Sequence, residues 1–243
     1  MTQTKISEIN INIWNKHTVK FAAHSDVNII MGLNGSGKTT LLENLYKQLT
    51  TQADKENIVY MPSVDNISMR DKRRTANALT QDLEYYVFDM KTGPSLMQLR
   101  MSMIDMAQAD QMTQKAKINQ FIDVVNGLFE CTGKHVVLDG ANLYFNTQSG
   151  NFPIDKLSSG EKQLLLTLLR VFLLNKRESV VLIDEPENSL DTEWQFRLVD
   201  TLVQINPNAQ LFITTHSPAI FGKGWGDKVW YMEDITNKEM SAK

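Results

Sequence analysis

The sequence predicts an α/β fold with a mixed β-sheet core, an N-terminal antiparallel strand region and a helical insert. Three observations carry this. Alternating apolar residues run straight into a glycine-rich loop and a helix. A fully apolar strand, Val180 to Ile183, ends in two acids, and the stretch between these landmarks changes to helical periodicity rich in Met, Gln, Asp and Lys. With 243 residues, 42% hydrophobic and 22% charged, the chain is able to bury one large core. It is expected to form a single domain over 1–243 with a mostly helical insert at about 64–130.

Ile6, Ile9, Ile11 and Ile13, then Val27, Ile29 and Ile30, recur with period two and predict two or three strands ending at Met31. After the loop, Leu41, Leu42, Leu45, Tyr46 and Leu49 share one helical face over 39–49, and a strand Ile58 to Met61 is stopped by Pro62. Ile118, Phe121, Ile122, Val125, Leu128 and Phe129 form the stripe of an amphipathic helix closing the insert. Val136 to Leu138 and Leu143 to Phe145 predict a hairpin around Asp139 and Gly140, with a further turn at Gly150. A long apolar helix from Gly160 to Leu174 follows, and then the strand Val180 to Ile183. Next come a helix with Trp194, Leu198, Leu202 and Ile205 on one face, a strand Leu211 to Thr214, and a last strand Val229 to Met232.

Lys and Arg number 25 and Asp and Glu 28, so the net charge of −3 draws neither nucleic acid nor anionic membrane to the whole surface. Any polyanion site must be local. Cys131 is the only cysteine, and His17, His24, His135 and His216 are too dispersed to suggest a metal cluster, so a reducing, cytoplasmic setting is expected. Membrane insertion is not expected: the apolar run Leu164 to Leu174 is too short, and Lys5 and Glu8 stand where a signal peptide needs apolar residues.

Gly32-Leu33-Asn34-Gly35-Ser36-Gly37-Lys38-Thr39 fits the phosphate-loop pattern G-x-x-x-x-G-K-[ST]. Glycines let successive N–H groups turn around a β-phosphate, the lysine reaches the β- and γ-oxygens, and the next hydroxyl ligates Mg²⁺. Asn34, Gly35, Ser36, Gly37, Lys38, Thr39 and Thr40 are thus the candidate nucleotide contacts, with Thr39 also a candidate metal ligand. The alternative, a glycine-rich turn with a solvated Lys38, leaves the strand-loop-helix context unexplained. Asp184 and Glu185 end the apolar strand, where ligands bind in parallel α/β sheets. Strand alternation points them apart, so Asp184 is expected to hold Mg²⁺ through water and Glu185 to polarise the water attacking a γ-phosphate. For Glu185 the alternative is a solvated strand-end charge. Ser158, Ser159 and Gly160 open the long apolar helix, and a helix N-terminus favours anions.

With these motifs in this order, the chain resembles the ATP-binding-cassette (ABC) ATPases from about Ile6 to Met232. The resemblance rests on the phosphate loop GLNGSGKTT, the signature LSSGEKQ, the carboxylate strand VVLIDEPE, the following NSLD, and TTHSP. It implies ATP and Mg²⁺ as ligands, Lys38, Glu185 and His216 as catalytic residues, and Asp191 as the acid coupling two active sites. His216 would contact the γ-phosphate and order the water, although a lone histidine after a strand is often structural. It further implies a homodimer closed across ATP, with Ser158, Ser159 and Gly160 of one chain capping the nucleotide of the other. The glutamine-loop residue is not evident, with Ser63, Asp65 and Gln81 as candidates, and Trp14 is the nearest adenine-stacking aromatic.

Glu187 after the proline, Glu161 in the signature and the segment TTHSPAIF resemble the RecF, SMC and OLD branch, including small AAA-type ATPases of bacterial defence and DNA-maintenance systems, more than transporter subunits. OLD proteins carry a nuclease domain after the ATPase; this chain ends roughly ten residues past its last predicted strand, so a separate effector or nuclease subunit is expected, with DNA as a further candidate partner. A transporter's nucleotide-binding subunit and an ATP sensor without turnover are the alternatives. Half of the chain's 12 methionines lie between Met90 and Met112, and Leu96, Met97, Leu99, Met101, Met103, Ile104 and Met106 would cover more than half of one helix. That helix and the basic cluster Arg70, Lys72, Arg73 and Arg74 are a candidate partner surface, or else a buried helix beside a solvated charge run.

Overall fold

The computed structural model describes residues 5–14, 17–52, 55–63 and 78–238. The basic cluster Arg70, Lys72, Arg73 and Arg74 lies outside them. The first elements are β1 (Glu8–Trp14), β2 (His17–Ala22), β3 (Val27–Met31), α1 (Lys38–Gln52) and β4 (Ile58–Met61). Then come α2 (Ala78–Phe88), α3 (Leu96–Ser102), α4 (Gln108–Phe129), β5 (His135–Asp139), β6 (Asn142–Thr147), β7 (Gly150–Pro153) and α5 (Ser159–Phe172). The chain closes with β8 (Ser179–Asp184), α6 (Thr192–Ile205), β9 (Ala209–Thr215), β10 (Val229–Tyr231), α7 (Met232–Ile235) and β11 (Thr236–Lys238). Two compact units result: a sheet unit, Met1–Arg70 with Leu174–Lys243, and a helical unit, Asp71–Leu173.

In the sheet unit, β10, β3, β9, β8 and β4 form a parallel sheet in that order, and β1, β2 and β11 form a separate antiparallel sheet. The alternation read from the sequence is the burial pattern of β1: Ile9, Ile11 and Ile13 are buried and their neighbours exposed. In β8 and β9 every residue is buried, as expected of strands covered on both faces. The two sheets share one apolar cluster, in which Ile9, Ile11 and Ile13 meet Leu41, Leu42 and Leu45 of α1, and Val180, Leu182 and Phe212 of the parallel sheet. Because β3, β9 and β8 are adjacent, Met31 pairs with Thr215 and Asp184 with Thr214. Their carboxyl ends therefore open side by side, which positions the site. The last strand is shorter than the sequence suggests: Met232 starts α7, and the chain then returns along β2 as β11.

The helical unit holds α2 to α5 and the three-stranded antiparallel sheet β5-β6-β7. The stripe on α4 is buried at Ile118, Phe121, Val125, Leu128 and Phe129. Phe121 stacks on Phe172 of α5 with centroids 4.3 Å apart, and Phe129 on Phe145 of β6 at 5.0 Å. The predicted hairpin turns at Gly140 and Ala141, one residue beyond the expected pair, because Asp139 still pairs with Asn142; Gly140 is in the left-handed region at φ 55°. The methionine run is not one helix. α3 stops at Ser102, whose hydroxyl donates to the Leu99 carbonyl, and a single 3-10 turn, Met103–Asp105, follows. Leu96 and Met97 are buried, whereas Met101, Ile104 and Met112 are 49%, 67% and 68% exposed.

Phe212 lies fully buried on the central strand β9. Phe212→Ala is expected to cost about 3–5 kcal/mol in urea unfolding, whereas Asn10→Thr on the exposed face of β1 should stay within about 0.5 kcal/mol.

Candidate functional site: a phosphate loop and paired acids

The phosphate loop leaves β3 and enters α1 at Lys38. Gly35 and Gly37 have φ of 80° and 95°, a region costly for any residue with a Cβ. At Gly37 a Cβ would also stand 3.0 Å from Ile13 and 3.1 Å from the Trp14 ring. Lys38 is 3% exposed, and its Nζ donates to the Gly32 and Leu33 carbonyls (2.9 and 3.1 Å) and pairs with Glu185 Oε1 at 3.2 Å. Ser36 Oγ is buried with no partner among the described residues.

Thr39 Oγ1 donates to the Asp184 carboxylate, 2.9 Å from Oδ2 and 3.2 Å from Oδ1, and Thr214 Oγ1 donates to Oδ1 at 2.7 Å. Asp184 is 1% exposed. Burial pushes its carboxyl above the ordinary value of 3.8, and the Glu185 charge acts the same way, against the Thr214 and Thr39 hydrogen bonds and the Lys38 charge. The two acids do diverge, but not by strand alternation. β8 ends at Asp184, and Glu185 turns into the left-handed region at φ 47°, its N–H bonded to the Thr214 carbonyl at 3.1 Å.

His216 follows β9. Its Nδ1 lies 3.0 Å from Glu187 Oε1 and 4.0 Å from Glu185 Oε1. Glu187, Thr214 and Thr215 are site residues that the sequence did not reveal. Glu187 stood out only as a departure from the transporter pattern, and the threonines looked like ordinary strand residues. Asn188 Nδ2 donates to Ser63 Oγ at 3.1 Å and lies 3.5 Å from Glu185 Oε2, which places Ser63 beside the acids. Of the other glutamine-loop candidates, Asp65 lies outside the described residues, and Gln81 is exposed on α2 of the helical unit.

A cavity of about 930 Å³ adjoins the loop, lined by Trp14, His17, Asn34, Ser36, Tyr231 and Thr236 among others. His216 also faces it. His17 Nδ1 and Thr236 Oγ1 are buried there without partners among the described residues. The left-handed glycines, a buried ammonium held only by replaceable partners and these unpaired polar atoms fit a nucleotide. The Asp184 and Thr39 oxygens fit a hard divalent cation such as Mg²⁺.

Asn34 and Gly35 are exposed at the loop tip, and Thr40 is half-buried in the first turn of α1. Asp191 is the exposed N-cap residue of α6 without a side-chain cap bond. In the helical unit, Ser158 caps α5. Its Oγ accepts from the Glu161 N–H at 3.2 Å while Glu161 Oε2 accepts from the Ser158 N–H at 2.8 Å. Glu161 also pairs with Lys134 at 2.7 Å, and despite its burial these partners hold its carboxyl below the usual range. Ser159 is exposed and Gly160 buried, so the Ser158 and Glu161 side chains serve the cap while the Ser159 side chain faces outward.

Residues 122–222 match the family described as "AAA domain, putative AbiEii toxin, Type IV TA system". Over 188 residues, 77% of the chain, the sequence is 27% identical to the glutathione/L-cysteine transport system ATP-binding/permease protein CydC of Haemophilus influenzae. The chain spans only 28% of that protein's length. Among solved structures, the SMC head bound to the C-winged helix domain of ScpA is similar at a TM-score of 0.54, with 14% identity over 90% of this chain and 91% of that one. The SMC head domain from Thermotoga maritima is similar at a TM-score of 0.52, with the same identity and coverage. Fold and motifs together define a P-loop ATPase fold of the ABC and SMC type. Among the described residues, no helix is long and apolar enough to cross a membrane.

The raised Asp184 has a consequence for stability. Its favourable contribution is complete below its unfolded value near 3.8 and is lost as pH rises through the folded value. Asp184→Asn is therefore expected to leave the neutral-pH Tm unchanged or higher while weakening Mg²⁺-dependent nucleotide binding by about tenfold or more. A melting curve and a nucleotide titration with and without Mg²⁺ check this; a Tm lowered by several degrees would contradict it.

Proposed function

We propose that this chain hydrolyses ATP and works as a nucleotide-gated dimer that regulates or positions a separate effector. The observation that carries this reading is the meeting of Lys38, Thr39, Asp184, Glu185 and His216 at the ends of adjacent parallel strands. As nucleotide enters, Lys38 exchanges the Gly32 and Leu33 carbonyls and Glu185 for β- and γ-phosphate oxygens. Glu185, released from Lys38, accepts a proton from the attacking water. The water oxygen bonds to the γ-phosphorus, the bond to the bridging oxygen breaks, and ADP and phosphate result. His216 contacts the γ-phosphate and orders that water. Thr39 and Asp184 would hold Mg²⁺, whose charge neutralises the phosphates when bound. Trp14 and Tyr231, which both line the cavity beside the loop, would flank the adenine.

Both compact units belong to this one ATPase domain. Ser158, Ser159 and Gly160 at the N-terminus of α5 would cap the γ-phosphate held by the partner chain, with Asp191 coupling the two sites, as the resemblance to ABC ATPases implies. The exposed Met101, Ile104 and Met112 offer an adaptable surface for the effector, and DNA is a second candidate. The family match, named for a putative toxin of a type IV TA system, supports an effector in bacterial defence. The CydC likeness favours a second reading, the nucleotide-binding part of a transporter. Co-purification with a nuclease or toxin, as against a permease, separates the two.

Glu185→Gln should keep ATP binding and lose about 10²- to 10⁴-fold in turnover, and light scattering should show its dimer only with ATP. Turnover near the wild-type rate would remove Glu185 as the base. Head-to-tail closure has its own test. Lys38→Ala and Ser159→Arg chains should each be inactive, and mixing them should restore activity through one intact composite site. No rescue despite proven mixing would refute that arrangement.

A further inference from the structure

Glu187 is 5% exposed, yet its Oε1 accepts two hydrogen bonds from successive residues, Thr215 Oγ1 at 2.7 Å and the His216 N–H at 2.7 Å, and the Nδ1 of the His216 ring lies 3.0 Å from the same oxygen. Its other oxygen, Oε2, is buried with no hydrogen-bond partner among the described residues. A buried carboxylate oxygen left unpaired is costly, so a packing role alone would favour an apolar residue there. An oxygen that already accepts two hydrogen bonds is matched by a donor, so the 3.0 Å contact selects the neutral His216 tautomer with its proton on Nδ1. That contact leaves Nε2 as an acceptor, able to take a hydrogen bond from a water at the γ-phosphate.

Glu185 Oε1 lies 4.0 Å from the same Nδ1, within reach of a small side-chain rotation. Without Glu187, the ring loses the acceptor that selects its Nδ1–H form and is free to turn either N–H toward Glu185, occupying the oxygen that receives the proton from water. We infer that Glu187 is a positioning residue: it holds the Nδ1 proton of His216, aims the Nε2 acceptor at the water that attacks the γ-phosphate and keeps His216 from capturing Glu185. This rests on the proposed ATP hydrolysis, but the state of the His216 ring can be measured without turnover.

The experiment combines steady-state kinetics with ¹⁵N NMR of the histidine rings, His216 being assigned through His216→Gln. In the wild type, the neutral His216 ring should carry its proton on Nδ1. Glu187→Ala should scramble or reverse that tautomer and lower kcat by about 10- to 100-fold. KM and the Kd of a non-hydrolysable ATP analogue should stay within about threefold, because ground-state binding is untouched. Adding His216→Ala to Glu187→Ala should cost little more than His216→Ala alone, as for two residues acting as one device. Glu187→Gln preserves volume and one acceptor oxygen, so it should keep the tautomer and give a kcat between Glu187→Ala and wild type. Unchanged kcat in Glu187→Ala, losses that multiply in the double variant, or a tautomer indifferent to Glu187→Ala would each overturn the inference. Should the wild-type chain hydrolyse no ATP, the proposed function fails, while the NMR result still decides on Glu187.

Discussion

The ammonium of Lys38, buried at the mouth of the parallel sheet, is the constraint to which the rest of the sheet unit answers. A charge removed from water must be hydrogen-bonded and paired. Its partners are two carbonyls of its own loop and one carboxylate from the next-but-one strand. For the carbonyls to turn toward Nζ, the loop passes through left-handed glycines, and for the carboxylate to arrive, the chain leaves β8 with a left-handed Glu185. Strain at both points is local and is held by the sheet on which they stand.

A second consequence is a separation of tasks between neighbouring carboxylates. Asp184 is held by two threonine hydroxyls and is disfavoured as a charge by its burial, an arrangement that a cation would relieve. Glu185 is half-buried and is paired with Lys38 at 3.2 Å. Glu187 is fully enclosed and engaged with the end of β9. Three acids within four residues thus meet three different environments because the backbone turns between them.

The helical unit shows the same economy at the start of α5. A capping box occupies Ser158 and Glu161, and the Lys134 ammonium ties that cap to the segment entering β5. The rigidity of the first turn comes from these bonds, which leaves Ser159 outward-facing on a fixed backbone. Stacked Phe121 and Phe172 anchor the far end of the same helix to α4.

The sequence by itself determined the elements and much of the site. Period-two isoleucines, the glycine spacing of residues 32–39 and the apolar run before Asp184 are local signals, because side-chain direction repeats with the backbone. The stripe from Ile118 to Phe129 and the hairpin around Gly140 were legible for the same reason. What only the tertiary structure decided depends on partners far apart in the chain. β11 pairs with β2, the antiparallel and parallel strands part into two sheets, and Glu187 meets His216 across 29 residues. The methionine run looked helical throughout because periodicity cannot register a break, made here by extended backbone at Met106 and Ala107. Likewise, alternation suggested why Asp184 and Glu185 diverge, but the actual cause is a dihedral angle at Glu185 set by Thr214 on the adjacent strand.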